Sequence, residues 1–314
     1  MTELMIRASE VSKTFGKVTA LDGVSVEVPQ GTVLGLLGHN GAGKTTLVNI
    51  LSTMFPPSSG TASVAGYDVV AQPTEVRRRI GLTGQFASVD EDLTGTENLV
   101  LIARLLGAGR RSARQRAVEL LETFDLADAA GRAVKTYSGG MRRRLDLASS
   151  LVGQPRMVFL DEPTTGLDPS SRVGMWEVVE GLVAGGTTIL LTTQYLDEAD
   201  RLADSITVLN KGRVVAQGTA AQLKAEVGQR TVAVSLEPGT DPWHAVEAIR
   251  RSGKLPTFDP ERNSISVPVL ASKELVTVVR ALDEAGIEPA GLALTEPTLD
   301  DVYLALTHSS PSAA

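Results

Sequence analysis

No cysteine occurs in the 314 residues, which excludes disulfides, zinc–thiolate sites, iron–sulfur clusters and thiol catalysis. That absence fits a reducing cytoplasm. Long apolar runs are missing too. Stretches such as Thr187-Thr188-Ile189-Leu190-Leu191 fall far short of the roughly 20 residues that cross a bilayer as a helix. Any membrane work is therefore expected from a partner chain. Met1 to Arg7 lacks a basic stretch followed by an apolar core, so no signal peptide is expected. Excess positive charge is also lacking. Lys and Arg number 30 against 37 Asp and Glu, a net charge of -7, which argues against coating nucleic acid. The clusters Arg77-Arg78-Arg79 and Arg142-Arg143-Arg144 are expected to be a solvated helix face and surface or interface charges, respectively.

What is present is ordinary in bulk and specific in detail. At 42% hydrophobic and 21% charged residues, the chain has a globular composition. Its length implies one large domain and a smaller one. Thr32 to Leu37 reads as an apolar strand, Gly38 to Thr45 as a glycine-rich loop, and Thr46 to Leu51 as a helix. The loop, Gly38-His39-Asn40-Gly41-Ala42-Gly43-Lys44-Thr45, fits the phosphate-binding pattern GxxxxGK[ST] in the context that pattern needs. Glycines let backbone N–H groups converge on one anion, and the helix N-terminus behind them adds favourable dipole charge. Lys44 would reach the outer phosphates, and the Thr45 hydroxyl would face a magnesium ion.

Met157 to Leu160 is a short unbroken apolar run of the kind that forms a buried parallel strand, and it ends in Asp161-Glu162-Pro163. Two carboxylates there are costly without partners or a task. Asp161 is placed to hold magnesium, directly or through water. Glu162 would serve as a general base or orient the water that attacks the terminal phosphate. A second buried strand is expected over Thr187 to Thr192, with a helix from Trp176 to Val183 between the two. Helical spacing recurs from Asn98 to Gly107 and from Ala113 to Phe124, and a hairpin turns at Lys211-Gly212.

After about Gly228 the pattern changes to strand (Thr231–Leu236), helix (Trp243–Arg251), strand (Ser264–Val269), helix (Lys273–Ala285) and strand (Ile287–Leu294), with a final helix at Leu299–Thr307. A core or capping role is expected for Trp243 and His244. The boundaries are 4–228 for the large domain, 229–308 for a small α+β domain and 309–314 for a disordered tail. Dimer stabilisation or regulation is the expected role of the small domain.

Tyr137-Ser138-Gly139-Gly140-Met141 precedes the Asp161-Glu162 strand and leads into a helix from Arg142 to Leu151. Here the chain resembles the ATP-binding-cassette (ABC) ATPases, whose signature begins with Ser-Gly-Gly at a helix N-terminus. Other landmarks follow that resemblance. Gln85 stands at the Q-loop glutamine, Gly166-Leu167-Asp168-Pro169 matches the D-loop, and Phe15 takes the place of the aromatic that stacks on adenine. The likeness covers roughly residues 4–220 and implies an α/β P-loop ATPase domain. That domain would have a parallel-sheet core, an antiparallel β subdomain and a helical subdomain, ahead of the small α+β domain. It also implies that ATP is bound by Phe15, by Gly38, His39, Asn40, Gly41, Ala42, Gly43, Lys44, Thr45 and Thr46, and by Ser138, Gly139 and Gly140. Thr45, Gln85 and Asp161 would hold Mg2+, while Glu162, Gln194 and Gln85 serve catalysis.

Two departures stand out. Gln194, in Leu191-Thr192-Thr193-Gln194-Tyr195, occupies the place of the family's histidine. Glutamine can donate to phosphate but cannot carry a proton, so either a slow enzyme or a working variant results. His39 stands where proline is common and is expected on the loop's outer face, without a catalytic role.

The strings Thr192 to Asp200, Lys135 to Asp146, Val89 to Leu99 and Leu299 to Thr307 are similar to the daunorubicin/doxorubicin-resistance group of actinobacterial exporters. Gln194 is itself typical of that group. This resemblance implies a homodimeric ATPase at the cytoplasmic face of the cell membrane, paired with an integral-membrane permease on a separate chain, and not with nucleic acid. Two copies would meet head to tail, so that Ser138, Gly139 and Gly140 of one complete the ATP site of the other. Drugs or lipids would be the cargo. The alternatives are a soluble ABC ATPase acting on ribosomes or nucleic acid, and an import ATPase.

Overall fold

The computed structural model describes residues 3–84, 89–227, 230–237, 239–260 and 263–308. Gln85 and the 309–314 tail lie outside the described residues. The chain divides into two compact units, 1–220 and 221–314.

In the first unit the elements run β1 (Leu4–Phe15), β2 (Val18–Pro29), β3 (Val33–Leu37), α1 (Lys44–Leu51), β4 (Ser59–Val64), β5 (Tyr67–Asp68), α2 (Pro73–Arg77) and β6 (Ile80–Thr83). There follow α3 (Gly95–Leu105), α4 (Arg110–Thr123), α5 (Gly139–Ser150), β7 (Met157–Asp161), α6 (Pro169–Ala184), β8 (Thr188–Thr193), α7 (Leu196–Leu202), β9 (Ser205–Asn210) and β10 (Arg213–Gly218). Strands β10-β9-β3-β8-β7-β6 form one sheet, parallel except for the β10 edge. An antiparallel sheet, β2-β1-β4-β5, lies beside it, and α3, α4 and α5 make a helical layer.

Sequence explains these choices locally. Strands β3, β7 and β8 are buried along their whole length, as parallel strands covered on both faces must be. Val158, Leu160, Ile189 and Leu191 face the core shared with the helical layer, while Met157, Phe159 and Leu190 face the antiparallel sheet. Helix α3 starts with a capping box in which Thr94 accepts from Glu97 N and the Glu97 carboxylate accepts from Thr94 N. Helix α6 begins at Pro169, behind the cap Asp168, well before the expected Trp176. The Asp-Pro pair is a local start signal that outweighs weak apolar periodicity.

The second unit opens with α8 (Ala220–Val227) and continues through β11 (Arg230–Leu236), α9 (Pro242–Arg251), β12 (Thr257–Asp259), β13 (Ser264–Val269), α10 (Leu275–Glu284), β14 (Pro289–Thr295) and α11 (Leu299–His308). Its sheet order, β12-β13-β11-β14, is antiparallel throughout and gives the split βαβ arrangement. Val232, Val234, Ile265 and Val267 pack against Val246, Ile249, Val278 and Leu282 of the two covering helices. Trp243 departs from its expected core or capping role. It is 66% exposed, lies edge-on to Phe258, and the cap of α9 is Asp241.

Gly81 shows how closely β6 is fitted. A Cβ there would sit 2.5 Å from the Ser150 carbonyl oxygen and 3.2 Å from Pro155. Backbone cannot yield as a side chain can, so Gly81→Ala is expected to cost about 1–3 kcal/mol. A urea titration checks this as a lower unfolding midpoint with unchanged slope.

Candidate active site

Three neighbouring parallel strands end at one edge of the central sheet. Register pairs Leu37 of β3 with Thr193 of β8, and Thr192 of β8 with Asp161 of β7. The chain therefore delivers the glycine loop, Gln194 and the Asp161-Glu162 pair side by side. Crevices at the carboxyl ends of such strands are where ligands bind in open α/β sheets.

At two of its glycines the loop is packed tightly against neighbouring backbone, while Gly41 stands open. A Cβ on Gly38 would lie 2.6 Å from Leu209 O, and one on Gly43 would lie 2.7 Å from Ala20 O. Gly43 precedes α1 in a left-handed conformation, and no side chain caps the helix. The first amides of α1 are thus left to an anion, and no acidic residue stands in that first turn to oppose it. Among the other loop residues, Ala42 is buried, Thr46 half-buried, and His39, Asn40, Gly41 and Thr45 exposed. The His39 ring contacts Asn40 O and Asn210 Oδ1.

Lys44 is buried and donates to Gly38 O at 2.5 Å. Its Nζ lies 3.7 Å from Glu162 Oε1. Burial lowers its pKa, while Glu162 and Asp161 raise it back; the two carboxylates are the counter-ions of a lysine withdrawn from water. Asp161 is held from two sides: Thr192 Oγ1 donates to Oδ1 at 2.5 Å, and Thr45 Oγ1 donates to Oδ2 at 3.3 Å. Glu162 has φ +50, a left-handed conformation that costs a non-glycine residue on the order of 1–2 kcal/mol. Its amide donates to both the carbonyl and the hydroxyl of Thr192, and Thr165 Oγ1 donates to its carboxylate at 3.3 Å.

Phe15 ends β1 and is 48% exposed, edge-on to Phe55 at 5.5 Å with Lys13 Nζ 5.2 Å from its ring centre. Phe15 pairs with Val18, and Ala20 of the same hairpin abuts Gly43, so the hairpin borders the glycine loop. Ser138 caps α5 by accepting from Met141 N, and Gly139 has open space around it. Gly139, Arg143, Asp146, Asp161, Glu162 and Gly166 line one cavity of about 400 Å3. Asp168 accepts from Ser170, from the Ser171 hydroxyl and from Ser171 N, which holds its carboxyl well below the usual carboxylate range.

Comparison with known proteins identifies the family and supports the fold. The family described as ABC transporter covers residues 21–165. The chain is 53% identical over 98% of its length to the daunorubicin resistance ATP-binding protein DrrA3 of Streptomyces coeruleorubidus, covering 97% of that protein. It is 46% identical to the daunorubicin/doxorubicin resistance ATP-binding protein DrrA of Streptomyces peucetius, over 96% of this chain and 92% of that one. The chain belongs to the ABC transporter ATP-binding proteins. Its fold agrees with the dimeric structure of a bacterial ABC transporter cassette, at TM-score 0.63 and 26% identity, over 68% of this chain and 98% of that one. It is an ABC-type ATPase.

Within this ABC ATPase, sequence reasoning missed three residues. Thr192 bridges both carboxylate residues; a threonine doublet closing an apolar strand was the available signal. Arg143 turns inward instead of serving as a surface charge, because it finds carbonyl acceptors around Glu162. Its neighbours are also tied within the chain, Arg142 to Glu91 and Lys135 O, and Arg144 to Phe124 O and Asp125.

The third is Glu198 in α7, fully buried and accepting from Trp176 Nε1 of α6 at 3.1 Å. Desolvation raises its pKa above the ordinary 4.5. The folded state therefore binds a proton that the unfolded state has released, and stability falls as pH rises from about 4.5 through the raised value. Glu198→Gln is expected to flatten this fall, gaining on the parent protein from acid to neutral pH. Melting temperatures across that range are the check; equal slopes for the two proteins would contradict the assignment.

Proposed function

We propose that this chain is the ATP-hydrolysing subunit of an ABC exporter that expels a hydrophobic drug or lipid-like compound through a separate membrane subunit. The observation that carries the reading is Lys44 beside Glu162, with Asp161 bound to Thr45, at the head of a glycine loop. Near full-length similarity to daunorubicin resistance ATP-binding proteins supports the export half. Among the described residues no helix is long and apolar enough to cross a membrane. In this reading a separate membrane subunit forms the passage, and this chain works at its cytoplasmic face. Residues 4–228 form the ATPase domain in this reading and 229–308 an accessory domain.

Phe15 stacks on adenine, and the backbone from Gly38 to Thr46 wraps the phosphates with Lys44 on the outer ones. Thr45 and Asp161, with Gln85, would hold Mg2+. The oxygen donors of Thr45 and Asp161 fit a hard cation, which would supply charge neutralisation at the phosphates. Glu162 orients a water and accepts its proton as the water oxygen attacks the terminal phosphorus. The bond to the bridging oxygen breaks, and ADP leaves with the electron pair. Gln194 donates a hydrogen bond to the phosphate from the position where the wider family has a histidine.

Two copies meet head to tail, and Ser138, Gly139 and Gly140 of one complete the site of the other. The dimeric state of the related cassette supports that arrangement. Closing and reopening of the dimer would then drive the membrane subunit.

Glu162→Gln is expected to bind ATP within about 3-fold of the parent, while kcat falls on the order of 100- to 1000-fold. Nucleotide binding and phosphate release measure the two effects. Retention of the normal rate would remove Glu162 from its role. For export, membrane vesicles carrying both subunits should take up doxorubicin only with hydrolysable ATP, and Lys44→Ala should abolish uptake.

A further inference from the structure

Arg143 sits in the first turns of α5, downstream of the signature Ser138 that caps the helix. A guanidinium presents five N–H donors in a planar fork, and here it makes four hydrogen bonds, all to backbone carbonyls, and one ion pair. Nε donates to Pro163 O at 2.8 Å, and Nη2 donates to Asp161 O and Glu162 O, each at 3.0 Å. Nη1 donates to Gly84 O at 3.0 Å and pairs with the buried Asp146 at 3.5 Å.

Three successive carbonyl oxygens turned toward one cation require a curled backbone. The left-handed φ of +50 at Glu162 provides that curl, at a cost the chain would otherwise avoid. Extended, the strand would alternate its carbonyls to opposite sides and leave Arg143 with fewer acceptors. The guanidinium thus selects the conformation from which the Glu162 carboxylate reaches toward Lys44. A merely structural ion pair with Asp146 would use one end of the fork. Most of the donors instead go to Gly84, next to Gln85, and to the turn that carries Glu162.

We propose that Arg143 is the positioning residue through which the signature helix sets the Glu162 carboxylate for hydrolysis. The proposal rests on the roles of Glu162 and Ser138 given above. A shift of α5 when its N-terminus engages the second copy's nucleotide is passed by this one side chain to Glu162. Lysine cannot substitute, because an ammonium is a point charge without the planar fork.

The test compares the parent protein, R143K and E162Q as purified full chains, for ATP binding, KM, kcat and melting temperature. R143K keeps the charge facing Asp146, so it should fold, bind ATP and hold KM within about 3-fold, while kcat falls on the order of 10- to 100-fold. If R143K fails to fold, the pair R143Q/D146N removes both buried charges together, and the same loss confined to kcat is expected. A kcat within twofold of the parent, or a change in KM alone, would overturn the proposal while an inactive E162Q leaves the catalytic assignment standing. If E162Q itself hydrolysed ATP normally, the catalytic reading would fall, and the proposal with it.

Discussion

A strand that is buried along its length and then ends in two carboxylates must have those charges answered where it ends. Lys44 answers them. It is withdrawn from water, lies 3.7 Å from Glu162 and carries charge that Asp161 and Glu162 hold in place. The rest of the unit follows from the need to bring Lys44 and β7 together. They belong to different crossovers, and β8 must lie between their strands to set the register. Thr192 of that intervening strand then touches both residues of the acidic pair. Removing one partner of a buried charged group is far more damaging than replacing both, so the arrangement resists piecemeal change.

How much of this was legible depends on how local each signal is. The glycine loop and the strand ending in Asp161-Glu162 could be read directly, because each residue's reason lies within a few positions of it. Thr192 and Arg143 could not. Their meaning lies in acceptors brought near by the sheet, and a threonine or arginine in isolation does not announce a partner. Phe15 and Ser138 were legible only through resemblance; composition and periodicity give no reason to single them out. Gln194 follows β8 and takes its place at the strand edge by register alone. The start of α6 was misplaced because apolar spacing was weighed above the Asp168-Pro169 start signal.

The second unit was read from alternating strand and helix patterns, and its strand order could not be deduced from them. The three-residue β12 is too short to carry a period, yet it completes the split βαβ sheet. Chemistry is concentrated in the first unit, where strained backbone, buried charge and open helix ends converge on one edge. Such convergence is the usual mark of a site whose geometry is maintained against local preference.

The central claim is that each nucleotide is enclosed by Lys44 of one copy and the signature of another. Gly139 offers the most direct test, because a Cβ there meets nothing within 4 Å and the position begins α5, where an acidic side chain suits the helix. Gly139→Asp should therefore leave the single chain folded while opposing the phosphates presented by a second copy. Light scattering of Glu162→Gln with ATP should give a dimer, and adding Gly139→Asp should leave a monomer that still binds ATP. A dimer of equal strength with both changes would contradict the account.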